Sequence, residues 1–385
     1  MAEAVAGPAA RTERVLVVGA GIAGLSTAIL LGRLGMQVTV AERSAQRADG
    51  AGITIQNQGI NVLQTLGVLE ECLKFAFVSE SGNVYDNFFD AEGSPRELPQ
   101  VPRRPEDGLP AYIQIYRPRF ADILAARAED LGAKINRECS VTQVADEGAS
   151  VRVEFGDGSI GNYDLVIGAD GTNSKVRHGI FGEIEQTYSG NMSLRWVKNH
   201  GPVGQRGFYV NEKSAPVVVS YPAEDVIYVA TGIDMENRPV AHDEAIAILR
   251  DVVGSFPAKT VQNIYDLIED DDEVIVRPYI LHNLPAPWHK GRIAIIGDAA
   301  HSVSAHLGIG GVLALEDAAV LFEELSFGDD LESALTRYGK RRAIRTFFAV
   351  DACRQMLDLQ VHYAAAPWAT HRIRQRALGD LVEAF

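Results

Sequence analysis

The feature that most constrains the fold is a glycine-rich segment placed between an apolar run and a helical pattern. Val15–Val18 is a short β-branched run, typical of a strand buried in a parallel sheet, and Gly19-Ala-Gly-Ile-Ala-Gly24 follows it directly. Small and apolar residues at helical spacing continue through 23–34, and a second β-branched run, 38–41, ends at Glu42. This order of strand, turn, helix and strand predicts a βαβ unit.

The spacing of the three glycines predicts a dinucleotide site of the Rossmann type. Gly19 permits the tight turn, Gly21 lets backbone N–H groups approach a pyrophosphate at the helix N-terminus, and Gly24 lets helix and strand pack closely. The carboxylate of Glu42 can accept hydrogen bonds from a ribose diol, which disfavours a 2′-phosphate. The candidate cofactor-binding residues of this segment also include Ile22, Ala23 and Arg43. Alone, the motif does not separate FAD from NAD.

The rest of the chain predicts an α/β protein, α+β overall. We expect two interleaved domains in it, because 385 residues exceed one comfortable core. The stretch from Tyr188 to Asp234 is alternating and aromatic-rich, which favours a separate antiparallel sheet. We therefore expect a discontinuous Rossmann-like cofactor domain, an interleaved substrate domain with a mixed or antiparallel sheet, and a C-terminal helical segment. Their expected ranges are 12–80, 111–185 and 288–330 for the cofactor domain, 81–110 and 186–287 for the substrate domain, and 331–385 for the helices.

Four shorter patterns give local predictions. Phe120–Leu131 has one apolar face and predicts an amphipathic helix. The alternating run 151–155 before Gly156-Asp-Gly158 predicts a hairpin. A buried strand is expected at 292–297, with a helix beginning near Gly310, and the prolines of 98–110 indicate an exposed loop.

Composition and charge exclude several classes of partner. With 36 basic and 51 acidic residues the net charge is −15, which disfavours binding to nucleic acid or to a membrane. No CxxC or Cys/His cluster is present, so we expect no metal site, and the unpaired cysteines suggest a reducing cytoplasm. No signal peptide is evident. The segment from Leu331 onward has nine basic and five acidic residues, which we interpret as a solvated helix face.

Two further motifs occur in register with the glycine-rich segment. One is Ala169-Asp170-Gly-Thr-Asn-Ser-Lys-Val-Arg177, and the other is Gly297-Asp298-Ala-Ala-His301 with Gly308, Gly310 and Gly311 behind it. Together the three motifs resemble those of single-component (class A) FAD-dependent aromatic hydroxylases of the para-hydroxybenzoate hydroxylase type, and especially enzymes of the 6-hydroxynicotinate 3-monooxygenase type. The resemblance covers essentially the whole chain, including Gly50-Ala-Gly52-Ile53 and Arg117.

The resemblance implies FAD as the cofactor and assigns roles to several residues. Asp298 would hydrogen-bond the ribityl chain, Arg117 would pair with the phosphates, and the Gly308–Gly311 turn would face the flavin pyrimidine edge. The dipole of the helix at Gly310 would stabilise reduced flavin. Asp170 would hold the loop that shapes the cofactor path. For Arg177, a structural ion pair and a cofactor contact both stay open. Gly52 and Ile53 are further cofactor candidates.

The chemistry implied by the resemblance is hydroxylation of an electron-rich aromatic or heteroaromatic ring through a C4a-hydroperoxyflavin. NADH or NADPH would supply electrons, O₂ the oxygen atom, and the enzyme would be a monomer or homodimer. His306 is the first candidate for a catalytic base because it precedes the flavin-facing turn. Tyr209, Tyr221 and Tyr228 are alternatives, and Arg195 could bind a substrate carboxylate.

The sequence departs from the family pattern at two positions beside that turn. Ala305 stands where the family usually has proline, and Ile309 where it often has glutamine. Ala305 gives weight to an alternative function, a flavin oxidase or dehydrogenase without oxygen insertion. A halogenase would need a Trp-x-Trp-x-Ile-Pro segment, whereas the tryptophans are Trp196, Trp288 and Trp368. A non-catalytic flavin-binding protein is the remaining alternative.

Overall fold

The computed structural model describes residues 12–45, 52–56, 58–79, 87–96, 108–211, 214–328, 330–362 and 367–381. Within these ranges the strands are, in chain order, β1 Arg14–Val18, β2 Gln37–Ala41, β3 Gly52–Gln56, β4 Ala76–Ser79, β5 Phe88–Phe89, β6 Pro95–Arg96, β7 Tyr112–Tyr116, β8 Lys134–Asn136, β9 Val141–Asp146, β10 Val151–Phe155, β11 Ile160–Tyr163, β12 Leu165–Gly168, β13 Thr187–Asn199, β14 Gly207–Asn211, β15 Ser214–Ala223, β16 Val226–Asp234, β17 Val274–Asn283, β18 His289–Lys290, β19 Ile293–Ile295 and β20 His301–Ser302.

The helices of the same ranges are α1 Ile22–Arg33, α2 Gln58–Leu66, α3 Leu69–Leu73, α4 Arg117–Asp130, α5 Lys175–Phe181, α6 His242–Gly254, α7 Lys259–Tyr265, α8 Gly310–Ser326, α9 Leu331–His362 and α10 Pro367–Asp380. Two 3₁₀ turns lie at Gly297–Ala299 and Ala305–Leu307. The predicted amphipathic helix, the hairpin of β10 and β11, and the helix starting at Gly310 are all present. The expected loop at 98–110 falls largely outside the described residues.

The first sheet confirms the βαβ prediction. Its six strands are ordered β18-β19-β12-β1-β2-β8, and all neighbours are parallel except β18 and β19. The strands β1, β12 and β19 are buried along almost their whole length, as expected for a parallel sheet covered on both faces. This is the Rossmann-like half of an α/β fold.

The second large sheet confirms the prediction of antiparallel structure after Tyr188. Its eight strands are ordered β20-β17-β13-β16-β15-β14-β5-β6, with β13 to β17 paired antiparallel and one parallel pair, β14 with β5. One face, here called the outer face, packs with α6 and α7 into a separate core that includes Trp196, Val229 and Phe256. The opposite face is called the inner face below.

The C-terminal segment corrects the expectation of a solvated basic face. Arg342 of α9 is fully buried and donates through Nε to Asp317 of α8 at 2.6 Å. Asp317 also lies 2.6 Å from Nε2 of His301 and accepts the backbone N–H of Gly297. Basic side chains of α9 are therefore used to attach this helix to α8, because acidic residues of α8 face them in the interior.

Three features are absent from the part of the chain that the structure describes. No helix there is long and apolar enough to span a bilayer. The three cysteines, Cys72, Cys139 and Cys353, are unpaired. Within the same ranges, no group of His, Cys, Asp or Glu side chains is arranged to hold a metal ion.

The buried ionic cluster gives a stability prediction. Arg342→Met removes one partner and leaves Asp317 as a buried, poorly compensated charge, so we expect a loss of about 3–5 kcal/mol in the free energy of unfolding. Arg238→Gln removes an exposed ion pair with Glu244 and is the matched control, expected to change stability by less than about 1 kcal/mol. Urea unfolding measures both; equal losses in the two variants would contradict the assigned importance of the cluster.

The same cluster predicts a pH dependence. Burial alone would raise the pKa of Asp317, but His301 and Arg342 outweigh it and lower that pKa from 3.8 to about 2. A carboxyl whose pKa is lowered on folding contributes stability above its unfolded pKa and loses it as pH falls through its folded pKa. The stability difference between the parent and Asp317→Asn should therefore be constant above about pH 5 and shrink between about pH 4 and pH 2. A constant difference throughout would contradict this.

Candidate active site

The three sequence motifs meet at one edge of the parallel sheet. Gly19 follows β1, Ala169 follows β12 and Gly297 follows β19, and these strands are neighbours. Glu42 follows β2, the next strand along. Because the carboxyl ends of parallel strands lie at the same edge, the order of the strands brings the whole candidate cofactor site together.

Glycine packing fixes the turn after β1. Gly19 has φ +107°, and a Cβ there would lie 2.4 Å from the carbonyl oxygen of Ala169. A Cβ on Gly24 would lie 1.9 Å from the carbonyl oxygen of Gly19. Nothing lies within 4 Å of a Cβ built on Gly21. The turn is therefore closed against the protein at Gly19 and Gly24 and open at Gly21, where the motif requires room for a pyrophosphate.

The third motif packs against the first in the same way. A Cβ on Gly297 would lie 2.8 Å from Cβ of Ala23, and one on Gly311 would lie 2.5 Å from Cδ1 of Ile53. Ile22 is also close to Gly311, with 3.6 Å between its Cδ1 and the added Cβ. Contact between these segments, which are far apart in the chain, defines one cleft with walls from both motifs.

Two helices direct uncapped N-termini towards this cleft. α1 begins after Gly21 and α8 after Ile309, and neither has a side-chain cap or an acidic residue in its first turn. An N-terminus of this kind carries partial positive charge and unsatisfied N–H groups, which suit an anion. The arrangement fits a dinucleotide whose phosphates lie at α1 and whose flavin approaches Gly310 of α8.

Asp298 and Arg117 are the charged pair of the cleft. The Asp298 side chain is accessible to solvent. Protein atoms nevertheless surround it, and the resulting desolvation raises the pKa of its carboxyl. Asp298 therefore lies in a deep cleft that is open to solvent. Burial lowers the pKa of Arg117, and the charge of Arg195 lowers it further. Asp298 and Tyr228 act in the opposite direction and raise that pKa, but the net change is a decrease. Arg117 forms no hydrogen bond or ion pair with the described residues. Its guanidinium is thus available to a cofactor phosphate, as the resemblance implies.

Glu42 is held beside the glycine-rich turn. Its two carboxylate oxygens accept the backbone N–H groups of Ala20 and Ser44, each at 2.8 Å. The side chain therefore fixes the turn, and each carboxylate oxygen retains acceptor capacity for a ribose hydroxyl. Arg43 is exposed next to it. The geometry is compatible with both predicted cofactor contacts.

Asp170 and Arg177 hold the second motif together. Asp170 accepts the hydroxyl of Ser174 at 2.5 Å and the backbone N–H of Lys175 at 2.7 Å, which caps α5. Arg177 is buried and donates to the carbonyls of Thr172 at 2.8 Å and Ala299 at 3.0 Å. The structure gives Arg177 a role other than the two left open by the sequence. Its hydrogen bonds link the second motif to the segment that follows β19.

The inner face of the eight-stranded sheet lies against the cofactor half. A Cβ on Gly52 would lie 3.5 Å from the Tyr228 ring, and the ring of Tyr279 makes an edge contact with His306 at 5.4 Å between centroids. Arg195 shares this face, since it lies opposite Ala230, two residues from Tyr228 on β16. The sheet therefore directs Tyr228, Arg195 and Tyr279 towards the cleft, and His306 borders it from the 3₁₀ turn.

The structure removes Tyr209 and Tyr221 from the catalytic candidates. Both belong to the outer face, where Tyr209 is buried and Tyr221 packs against the core of α6 and α7. Their hydroxyls donate to the carbonyls of Gln205 at 2.8 Å and Gly204 at 3.1 Å. Period-2 alternation puts neighbours on opposite faces, and the register of β14 and β15 turns these two tyrosines away from the cleft.

Comparisons with known proteins agree with this geometry. The family model described as FAD binding domain matches residues 12–351. The chain belongs to this family. It is 31% identical over 382 residues to the aurachin C monooxygenase/isomerase of Stigmatella aurantiaca, covering 96% of each chain. It is 28% identical over 350 residues to the 6-hydroxynicotinate 3-monooxygenase of Bordetella bronchiseptica, covering 86% of this chain and 88% of the other.

A solved structure shows the same fold. Klebsiella pneumoniae HpxO complexed with FAD and uric acid superimposes with a TM-score of 0.78 at 21% identity, over 96% of this chain and 95% of the other. The predicted class, FAD-dependent monooxygenase, is confirmed, as is the predicted fold. No comparison supports the oxidase alternative. This protein is an FAD-dependent monooxygenase.

The sequence analysis did not predict the contribution of α10 to the candidate site. Arg374 donates through Nε to the carbonyl of His306 at 2.9 Å, and its guanidinium lies 5.5 Å from the centroid of the Phe208 ring. Phe208 stacks on Phe88 at 5.3 Å, and His371 lies 6.4 Å from Phe88. The C-terminal helix thus closes the end of the inner face and holds the turn that carries His306.

The cleft geometry predicts the effect of removing Asp298. Asp298→Ala deletes an acceptor inside the cleft, so the monooxygenase should lose about 1–3 kcal/mol of FAD affinity. Asp157→Ala, in the remote turn between β10 and β11, is the control and should leave affinity unchanged. Titration of the apoprotein with FAD gives both dissociation constants. Unchanged affinity in Asp298→Ala would limit this residue to a structural role.

Proposed function

We propose that this monooxygenase hydroxylates a small electron-rich aromatic or heteroaromatic compound, with NADH or NADPH and O₂ as cosubstrates. The observation that carries the proposal is the placement of Tyr228, Arg195 and His306 around the opening of the FAD cleft. The names of two relatives, which concern aurachin C and 6-hydroxynicotinate, support a ring as substrate. Within this proposal Tyr228, Arg195 and His306 contact the substrate.

The chain contributes binding and orientation of FAD. The amides at Gly21 and the start of α1 would hold the pyrophosphate, and Arg117 would add a positive charge. Glu42 would accept hydrogen bonds from a ribose, and Asp298 from the ribityl chain. The turn at Gly308–Gly311 and the N-terminus of α8 would lie beside the flavin ring. When bound, FAD accepts electrons from NAD(P)H and activates O₂, which is the step that side chains cannot perform.

The inner face has the shape of a ring-binding surface. In one cross-strand row, Arg195 lies opposite Ala230, Ala230 opposite Val218, and Val218 opposite Phe208. The middle positions are small, whereas Phe208 and Phe88 form an aromatic wall at one end. With strands about 4.8 Å apart, the row from Arg195 to Phe208 spans roughly 14 Å. A ring lying over Ala230 would be enclosed, which excludes water from the reacting atoms.

His306 is the proposed proton acceptor for a substrate hydroxyl. It is the one titratable residue of the turn 304–308, its Nδ1 lies 2.9 Å from the hydroxyl oxygen of Ser304, and its ring contacts Tyr279. An acceptor close to the substrate increases electron density at the ring carbon that is attacked. Arg374 positions His306 through its backbone carbonyl.

We further propose that the enzyme acts in the cytoplasm as a monomer or homodimer, on a small molecule rather than on nucleic acid. The three unpaired cysteines support a reducing compartment. The net charge of −15 supports the absence of a nucleic-acid partner. The proposed division of the chain is unchanged, with β5 and β6 joining the substrate sheet and α9 and α10 forming the C-terminal segment.

Isotope labelling tests the proposed reaction. The purified holoenzyme is incubated under ¹⁸O₂ with NADH or NADPH and a panel of phenols, aminobenzoates and hydroxypyridines. We expect one class to stimulate NAD(P)H oxidation and to yield a product that carries one labelled oxygen, since a monooxygenase inserts one atom of O₂. Stimulated oxidation with unlabelled product and stoichiometric H₂O₂ would favour the oxidase alternative.

Ala305 gives a prediction about coupling between NAD(P)H use and product. Its side chain is exposed beside the flavin-facing turn, so it shields less than the proline usual in this family. We expect a measurable share of electrons to appear as H₂O₂ even with the best substrate. Ser304, with φ −76° and ψ 163°, already has the extended conformation required before proline, so Ala305→Pro should fold and raise the coupled fraction.

The parent enzyme is the reference for this comparison. NAD(P)H consumed, product formed and peroxide released are measured in each protein under air. Complete coupling in the parent would show that other groups shield the reacting oxygen, and equal leakage in Ala305→Pro would show that this position does not control it.

A further inference from the structure

One side of α9 exposes a group of large apolar side chains. Ile344, Phe347 and Phe348 are 66%, 55% and 55% exposed, and the two phenylalanine rings make an edge contact at 6.1 Å between centroids. Residues three and four apart on a helix are neighbours on its surface, so these three side chains form one patch, here called the α9 patch. Contiguous apolar patches on a protein surface commonly mark contacts with a partner.

The opposite side of α9 is packed firmly against the protein. Arg342, Ala349 and Cys353 are buried there, and the hydroxyl oxygen of Thr346 lies 2.8 Å from Oδ1 of Asn283. One side of the helix is therefore fixed by burial and hydrogen bonds, and this packing directs the α9 patch outward. The patch is a property of a well-packed helix.

Charged residues flank the patch on the same side of the helix. Lys340 lies one turn before it and Asp351 one turn after it, and Arg354 and Asp358 continue that side. Two basic and two acidic side chains make this side neutral, although the whole chain has a net charge of −15. An anionic lipid surface attracts an excess of basic residues, which this side lacks. Two copies of an acidic chain repel each other least where both surfaces are neutral.

The spacing of these residues is self-complementary. Lys340 precedes Ile344 by four residues, and Asp351 follows Phe347 by four. If two α9 helices lie antiparallel with Ile344 of each copy beside Phe347 of the other, Lys340 of each copy therefore lies beside Asp351 of the other. A two-fold axis forms every such contact twice. A parallel pair with its apolar residues in contact would instead place Lys340 beside Lys340 and Asp351 beside Asp351.

We propose that the α9 patch is the interface of a homodimer, in which two antiparallel α9 helices bury the patch and form two ion pairs between Lys340 and Asp351. Because one helix from each copy gives a small interface, we expect a dissociation constant on the order of 1–100 μM. The inference concerns the outer surface of α9 alone, so it holds whatever substrate the enzyme uses.

The dimer would also support the candidate cofactor site. On the buried side of α9, Arg342 binds Asp317, which accepts the backbone N–H of Gly297. A second copy on the outer side adds contacts that hold α9 in the position this cluster requires. Because association favours the folded state by mass action, the melting temperature of the holoenzyme should rise with protein concentration.

Sedimentation velocity of the holoenzyme tests the apolar part of the interface, over about 1–200 μM, a range that brackets the expected dissociation constant. Phe347→Ser and Phe348→Ser should each weaken the dimer about tenfold or more, since each removes an apolar contact twice per dimer. Phe327→Ser, which removes a ring that is 67% exposed just after α8, is the matched control and should leave the dimer unchanged. The flavin absorption spectrum of each variant shows that it is folded.

Exchange of charges tests the antiparallel register and leaves the patch intact. Lys340→Glu sets like charges against Asp351, and Asp351→Lys sets like charges against Lys340, so each variant alone should dimerise about threefold or more weakly. An equimolar mixture of the two should regain the parental association, because opposite charges face each other at both ends of the mixed dimer. Within one helix the two positions are roughly 16 Å apart, so contacts inside a copy do not explain that recovery.

Four results would overturn the proposal. The first is a holoenzyme that stays monomeric over the whole concentration range. The second is a dimer that Phe347→Ser and Phe348→Ser leave intact, and the third is a mixture of the charge variants that associates no better than either alone. The fourth is co-sedimentation of a monomer with vesicles of phosphatidylcholine and phosphatidylglycerol, lost in Phe347→Ser, which would assign the patch to a lipid surface.

Discussion

The close packing of backbone segments at the carboxyl edge of the parallel sheet is the constraint on which the rest of the structure depends. Gly19, Gly24 and Gly297 each lie so close to another segment that an added Cβ would approach it to within 3 Å. These contacts bring three distant segments into one cleft and leave Gly21 open. The candidate FAD site is thus a consequence of strand order together with the absence of side chains at a few positions.

A buried ionic cluster around Asp317 stabilises the cleft. Asp317 binds the backbone N–H of Gly297, the ring of His301 and the guanidinium of Arg342, so a residue of α9 holds the strand end that presents Asp298. From the other side, Arg374 of α10 holds the turn that presents His306. The C-terminal helices therefore act on both ends of the third motif, which links the folding of the last part of the chain to the geometry of the site.

The sequence predicted the cofactor half well because the residues that define it are close together in the chain. The βαβ unit, the glycine spacing and Glu42 lie within one short segment, and the register of three motifs fixed the family. The substrate half was less accessible because its residues are brought together by strand pairing. In β16 the buried stripe of Ile227 and Val229 does place Tyr228 on the opposite face.

No such signal exists in β15, where 217–219 are all valine, so the direction of Tyr221 could not be deduced. Arg374 was missed for the same reason: its hydrogen bond to the carbonyl of His306 joins residues 68 positions apart in the chain. The basic face of α9 was misjudged because charge in a sequence does not show that α8 presents buried acids to it.

The central claim is that the inner face at Ala230 is the surface on which the substrate reacts. The most direct measurement compares Ala230→Trp, which fills that surface, with Tyr209→Phe on the outer face of the same sheet. The account predicts that both variants retain the flavin absorption spectrum, that Ala230→Trp loses substrate-stimulated NAD(P)H oxidation, and that Tyr209→Phe keeps it. Full stimulation in Ala230→Trp, or its loss in Tyr209→Phe alone, would contradict the account.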